Sequence, residues 1–204
     1  MKSKNSIQII EKPESVSWND IQRVLWNAHK ENRDNGIIMK HQSLSGDEIK
    51  NLIGNDGIMF IAMDGGKCIG TAGLKFKEVT FWFGQAKCAY RCFGGVLPEY
   101  QGYGVYKKLT EQVEAYSYDK GIKIMMLNTH PQNKRVIDIC KRIGYRKVKF
   151  TSSDKYKYVY LIKWLDGCPF SNLKCRYEYL KCKSFALLKY YIKGVFLKMK
   201  PILG

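Results

Sequence analysis

The residues best suited to chemistry lie between Val96 and Gln112, in the stretch VLPEYQGYGVYKKLTEQ. An apolar run from Phe93 to Leu97 is broken by Pro98, turned through Gln101-Gly102-Tyr103-Gly104, and followed by a helical pattern. A strand, a glycine loop and a helix N-terminus in immediate succession direct several unpaired backbone N–H groups, and the positive end of the helix dipole, at one spot. Gly102 and Gly104 can take positive φ and let a ligand approach the backbone closely. The chemistry on offer is recognition of an anion, a phosphate or pyrophosphate above all. A tight strand-to-helix turn that binds nothing has the same local pattern. No Gly-Lys-Ser/Thr follows, which argues against a P-loop, and the third glycine of a dinucleotide fingerprint is missing.

The elements that must position this loop can be read from hydrophobic periodicity and punctuation. Ser6 to Ile10 reads as a strand. Ser17-Trp18-Asn19-Asp20 caps an amphipathic helix carrying Ile21, Val24, Leu25 and Ala28 and ending at Asn35-Gly36. A second helix covers Gly46 to Ile53, with Asp47 and Glu48 in its first turn. Gly57 to Met63 and Lys67 to Lys77 form a hairpin through Asp64-Gly65-Gly66. Ala86 to Leu97 is a further strand, Val105 to Tyr118 a helix, and Ile122 to Leu127 a short apolar strand. Asn133 to Ile143 is helical until Gly144, and Tyr145 to Phe150 and Tyr156 to Trp164 close the series. The order β-α-α-β-β-β-α-β-α-β-β predicts a mixed sheet with helices on its faces.

Length and composition suit one domain with a substantial core, at 204 residues, 45% hydrophobic and 26% charged. The seven cysteines are odd in number, scattered and without a CxxC pair. They read as free thiols of a reducing cytoplasm, and the N-terminus is too short in its apolar part for a signal peptide. Cys168, Cys175 and Cys182, spaced by seven, share one helical face; no histidine lies near them, so no metal site is expected. The net charge of +17 is concentrated at the C-terminal end, where residues 134–204 carry 18 Lys+Arg against 4 Asp+Glu. The expected organisation is therefore a domain over residues 1–165 and a basic amphipathic helical extension over 166–204. In that extension Lys174, Lys181, Lys189, Lys193 and Lys200 cluster on one side of a helical wheel. Packing against the domain, contact with an anionic membrane surface through residues 172–200, and nucleic-acid binding are the roles open to it. Charges interrupt the segment too often for it to span a membrane.

Two motifs in this order resemble the GNAT superfamily of acyl-CoA N-acyltransferases. The first is Val96-Leu97-Pro98-Glu99-Tyr100-Gln101-Gly102-Tyr103-Gly104-Val105-Tyr106, against a family pattern of Arg or Gln, two residues, Gly, one residue, then Gly or Ala. Gln101 and Gly104 match, while Tyr106 stands where a small residue is usual. The second runs from Asn133 to Tyr145. Asn133, Gly144 and Tyr145 match, and Cys140 occupies a position where many members carry tyrosine. The resemblance is good over residues 57–149 and absent after Trp164.

The resemblance implies an α/β (α+β) fold with a mixed, mostly antiparallel sheet of about seven strands flanked by helices. It implies acetyl-CoA as the acyl donor, with no metal, and a small-molecule primary amine, an amino sugar among the candidates, as acceptor. The amides of Gly102, Tyr103, Gly104, Val105 and Tyr106, beside Gln101, would hold the pyrophosphate. Tyr106 would have to turn outward or reshape the pocket. The backbones of Val96 and Leu97 would pair with pantetheine, with the Val96 N–H polarising the thioester carbonyl, and Asn133 would contact the same arm or cap its helix. His130, at the C-terminal end of an apolar strand, is the candidate base. Cys140 occupies the place of the tyrosine that protonates the departing thiolate and is a shorter, weaker donor; it is there simply as a small helix residue, or another hydroxyl such as Tyr103 or Tyr145 substitutes, or solvent supplies the proton. A protein lysine or N-terminal acetyltransferase and a non-catalytic acyl-CoA-binding or membrane-associated module are the competing readings. Nucleic acid is not the expected partner, since it leaves both motifs unexplained.

Overall fold

The computed structural model describes residues 7–81, 83–152, 156–167, 173, 176–181, 183 and 184. Within them the alternating apolar segments form β1 (Gln8–Glu11), β2 (Ile58–Asp64), β3 (Lys67–Phe81), β4 (Gly84–Val96), β5 (Ile124–Thr129), β6 (Arg146–Ser152) and β7 (Lys157–Trp164). The helices are α1 (Trp18–Ala28), α2 (Lys30–Asp34), α3 (Gly46–Ile53), α4 (Val105–Asp119) and α5 (Lys134–Arg142). All seven strands join one sheet in the order β1-β2-β3-β4-β5-β7-β6. Every pairing is antiparallel except β4 with β5. The expected fold class, a mostly antiparallel mixed sheet flanked by helices, is the one found.

The sequence signals and the elements correspond closely. Ser17 starts α1 with a reciprocal capping box, its hydroxyl accepting from the Asp20 N–H while the Asp20 carboxylate accepts from the Ser17 N–H. Ser45 and Glu48 start α3 in the same way. Two elements differ from expectation. The helix expected to run on to Asn35 breaks at His29, whose φ of −105° and ψ of 15° separate α1 from α2. The hairpin strands β3 and β4 also run further than Lys77 and Ala86, meeting near Phe83. Aromatic packing extends them: the Phe81 and Phe83 rings stack at 4.8 Å, and Phe83 lies 5.6 Å from Trp164.

The core is divided by the sheet. Leu74, Ala89, Leu109, Val113, Met125, Leu127, Ile137 and Leu161 fill the side beneath α4 and α5. Ile21, Leu25, Ile49, Ile53 and Ile61 fill the side beneath α1 and α3. A partly buried ion pair, Lys163 to Glu114 at 2.6 Å, ties β7 to α4. Helical structure is present at 176–181, where the Lys147 ammonium lies 5.4 Å from the Tyr179 ring centre. The rest of the expected basic extension, including most of its lysine face, lies outside the described residues, as do Cys168, Cys175 and Cys182. Cys68, Cys88, Cys92 and Cys140 carry free thiols. Among the described residues no helix is long and apolar enough to cross a membrane.

Candidate active site at the fork between β4 and β5

Parallel strands β4 and β5 stay paired only at Ala89–Met125, Tyr90–Met126 and Arg91–Leu127. Beyond Arg91, β4 carries on to Val96 along β3 while β5 carries on to Thr129 along β7, so the two part like a fork. The departure coincides with a bulge in β4. Between the pairs Gly73–Cys92 and Thr71–Gly95, β3 advances two residues and β4 three. Phe93 takes a positive φ of 49° there, rare for an aromatic residue, and the Thr71 hydroxyl donates to its carbonyl at 2.8 Å. His29 holds the other half of the bulge. Asn32 Nδ2 lies 3.2 Å from His29 Nδ1, so Nδ1 accepts and Nε2–H donates to the Gly94 carbonyl at 3.0 Å.

Past the bulge the backbone faces into the fork. The Leu97 N–H donates to the Ile69 carbonyl at 2.9 Å, which turns the Val96 N–H away from β3 toward the opened side. The Val96 carbonyl is occupied, because Gln101 Nε2 donates to it at 2.9 Å. Val96 therefore offers one backbone group to a ligand rather than two, and Leu97 offers no free N–H; its side chain is in the core.

Beside the fork, Gly102 (φ 88°) and Gly104 (φ 77°) carry the loop into α4, and a Cβ at either position would meet nothing within 4 Å. Gly104 is the N-cap and supplies no side-chain cap to the first amides of α4. Those amides face a cleft of about 720 Å³ lined by Val96, Gln101, Gly102, Gly104, Val105 and Tyr106. Lys107, Lys134, Arg135 and Arg142 also line it, with Glu31 as the one acid among the described residues, 3.7 Å from Arg135, leaving a net basic setting suited to a polyanion. Tyr103 is exposed and outside that lining.

A second cavity of about 340 Å³ opens on the other side of the fork, with Tyr90, Cys92, Asn128, Tyr158, His41 and Arg91 in its wall. His29, Gly94, Tyr106, Asn133 and Val136 line both spaces. Asn133 does two things at once: it caps α5, accepting from the Val136 N–H at 3.4 Å, and its Nδ2 donates to Thr129 Oγ1 at 3.1 Å.

At the base of the fork Tyr106 points inward and lines both spaces rather than turning outward. The physical reason is a hydrogen bond and a stack: Arg91 Nη1 donates to the Tyr106 hydroxyl oxygen at 2.5 Å, and the guanidinium carbon lies 4.2 Å from the ring centre. The same hydroxyl is 3.7 Å from Cys140 Sγ. Burial pushes the Tyr106 hydroxyl up to about 12 even though Arg91 pulls it down. Cys140 is fully buried, and burial raises its thiol as well, so it is no ready thiolate.

The remaining candidates stand elsewhere. Tyr145 is fully enclosed in the core, its hydroxyl without a partner, and it lines neither space. His130 also lines neither; its Nδ1 accepts from the Gln132 N–H at 3.2 Å within its own loop. Three side chains at the site escaped the sequence reading: Arg91, His29 and His41. A charge set in the otherwise uncharged run from Cys88 to Leu97 was the available signal for the first. Burial lowers His29 to about 4 and His41 to about 3, so both rings are neutral near pH 7, and their centroids stand 4.8 Å apart. His41 Nε2 is enclosed without a partner.

A mixed sheet forked between two parallel strands, with a glycine loop opening a helix beside the gap, is the fold class that the two sequence motifs implied. The sequence model of the Acetyltransferase (GNAT) family matches residues 18–145, and the chain belongs to that family. It is thus an acetyltransferase of the acyl-CoA-dependent kind. Similar solved structures include an N-acetyltransferase from Staphylococcus aureus Mu50 (TM-score 0.62, 14% identity, 79% of this chain and 99% of that one). A second is the PaiA N-acetyltransferase from Thermoplasma acidophilum in complex with coenzyme A (TM-score 0.57, 19% identity, 78% and 99%). A third is an acetyltransferase from Elizabethkingia anophelis with acetyl-CoA bound (TM-score 0.57, 12% identity, 78% and 99%). No curated protein matches the sequence.

Proposed function

We propose that this protein moves the acetyl group of acetyl-CoA to the primary amine of a small molecule, by direct attack of the amine on the thioester. The observation that carries the reading is the meeting of two spaces at one fork, a long basic cleft on the glycine-loop side and a small cavity on the other. The amides from Gly102 to Tyr106 suit the diphosphate, because a Cβ at either glycine would meet nothing within 4 Å and Gly104 supplies no side-chain cap to α4. The Val96 N–H, aimed into the fork, suits the thioester carbonyl; one such donor on a developing oxyanion is worth about 3 kcal/mol. Asn133, on both linings, suits the pantetheine arm. A cavity of about 340 Å³ has the size for an amino sugar or a similar small amine.

The departing thiolate takes its proton from Tyr106 in this reading. Arg91 has only donors, so the Tyr106 oxygen must accept from it, and the hydroxyl proton is left to be given away. The guanidinium stabilises the tyrosinate that remains until solvent reprotonates it, and solvent takes the proton that the nitrogen releases as the amide forms. For the amine, His130 lies off both linings and His41 is too weak a base at about 3 to keep a proton near neutrality. The ammonium therefore loses its proton to solvent before attack, and His41 Nε2 serves as an acceptor for an N–H of the neutral amine. The free thiols of Cys68, Cys88, Cys92 and Cys140 favour a reducing cytoplasm as the compartment.

Calorimetry with acetyl-CoA, and CoA release against a panel of small amines, test the reading, with Gly104→Trp filling the open loop as control. Tight acetyl-CoA binding, amine-dependent CoA release and loss of both in the control are expected. Absence of acetyl-CoA binding would overturn it. Binding without turnover of any amine would favour the non-catalytic module.

A further inference from the structure

The smaller cavity is electrically one-sided. Lys40, Lys75, Lys77 and Arg91 line it, and among the described residues no aspartate or glutamate does. Its other walls are aromatic, aliphatic or uncharged, with both nearby histidines neutral near pH 7. Arg91 is the deepest of the cations, at 5% exposure, and among the described residues no carboxylate pairs with it. One of its N–H groups goes to Tyr106; Nε and Nη2 are buried with no partner. A guanidinium taken out of water without a counter-charge is costly, and the cost is relieved when an anion with matching acceptors arrives. Lys77 is held over the Tyr90 ring, 4.1 Å from its centre, and Lys75 donates to the Leu52 carbonyl, so neither ammonium is neutralised by an acid.

Resting on the reading of this cavity as the acceptor site, we propose that the acceptor is an anionic amine, one that carries a carboxylate or phosphate beside its reactive nitrogen. The ammonium groups of Lys75 and Lys77 bind that anion, and the field of the enclosed Arg91 guanidinium behind them favours it. A polycationic acceptor, such as a polyamine, a multiply aminated sugar or a lysine-rich peptide, meets four like charges with nothing to offset them. The anion also keeps the amine oriented: an acidic group fixed on the cavity wall leaves the nitrogen free to face the fork and the thioester.

The test uses the full chain saturated with acetyl-CoA and matched pairs of acceptors: glucosamine 6-phosphate against glucosamine, glycine against glycinamide, and spermidine as the polycation. The anionic member of at least one pair should exceed its neutral partner in kcat/KM by about tenfold or more, chiefly through KM. The phosphate and carboxylate pairs separate the two anion types. Lys77→Glu should erase that preference while the acetyl-CoA Kd stays the same. A thermal-shift series with the same compounds covers the case of slow chemistry: the anionic members should raise Tm and the neutral ones should not. Equal or better turnover of neutral or cationic acceptors would overturn the proposal, and so would a Tm that no anionic amine moves. In either case an intact acetyl-CoA Kd shows that the transferase reading itself survives.

Discussion

The Tyr106 hydroxyl and the Cys140 thiol face each other at 3.7 Å, one projecting from α4 and the other from α5. In the family pattern the α4 position is small and the α5 position is commonly tyrosine; here the bulky and small partners have traded helices. Cys140 is fully enclosed beside the Tyr106 ring. Moving the ring to α4 keeps a hydroxyl at the base of the fork and brings it against Arg91.

That exchange gives a reciprocal prediction. Tyr106→Phe should lower kcat by about 10²-fold, at the low end for a general acid because a thiolate is a tolerable leaving group. Acetyl-CoA affinity should change little. The double variant Tyr106→Ala with Cys140→Tyr returns the hydroxyl to α5 and should recover a large part of the lost kcat. Steady-state kinetics of the two variants decides it, and full activity of Tyr106→Phe would remove Tyr106 from the chemistry.

Tyr145 matches the family pattern by type, yet its hydroxyl is sealed in the core without a partner. A buried hydroxyl left unsatisfied costs about 1–3 kcal/mol. Tyr145→Phe should therefore hold or raise Tm and leave kcat within a factor of about two, since RT ln 2 is small beside any catalytic contribution. A loss of turnover without a loss of stability would restore Tyr145 to the site.

Local chemistry made much of this fold legible. The Ser17 and Asp20 cap, the Gly65–Gly66 turn and the Gly102–Gly104 loop each act within a few residues, and each forms where the sequence placed it. The break of the first helix at His29 was not legible, because its cause lies 65 residues away in the Gly94 carbonyl. The inward turn of Tyr106 was hidden for the same reason: Arg91, like Lys87, reads as a charge in a mostly apolar strand until β4 and α4 are brought together. Acceptor cavities share this property. The wall here collects Lys40 and His41 from one loop, Lys75 and Lys77 from β3, and Tyr158 from β7, with no common motif.

The base is open to a pH measurement. If the amine sheds its proton to solvent, kcat/KM should climb with unit slope until the pKa of the amine itself, near about 10.4 for a lysine-type amine. His130→Ala should keep that profile and most of the activity. Were His130 the base, the profile would bend near or below its ordinary value of about 6.5, since burial and Lys157 both lower it. A bend there that vanishes in His130→Ala would return the role to His130.

Stability should fall on mild acidification because of the paired histidines. Burial lowers His29 to about 4 and, together with the neighbouring His29, lowers His41 to about 3. In the unfolded chain both titrate near about 6.5. Between those values the unfolded state binds protons that the folded state refuses, so stability is complete above about pH 6.5 and drains away as the pH falls. The slope is about 1.4 kcal/mol per pH unit for each histidine. The carboxylates with lowered values, Asp20, Glu48 and Asp166, act in the same direction but only in the acid end of that window, below the ordinary values of 3.8 for aspartate and 4.5 for glutamate. Tm should thus drop by several degrees between pH 7.5 and 5.0, and His41→Gln should flatten the dependence. A wild-type Tm that is level across that interval would mean the two rings are protonated in the folded state and that His41 is not enclosed as found.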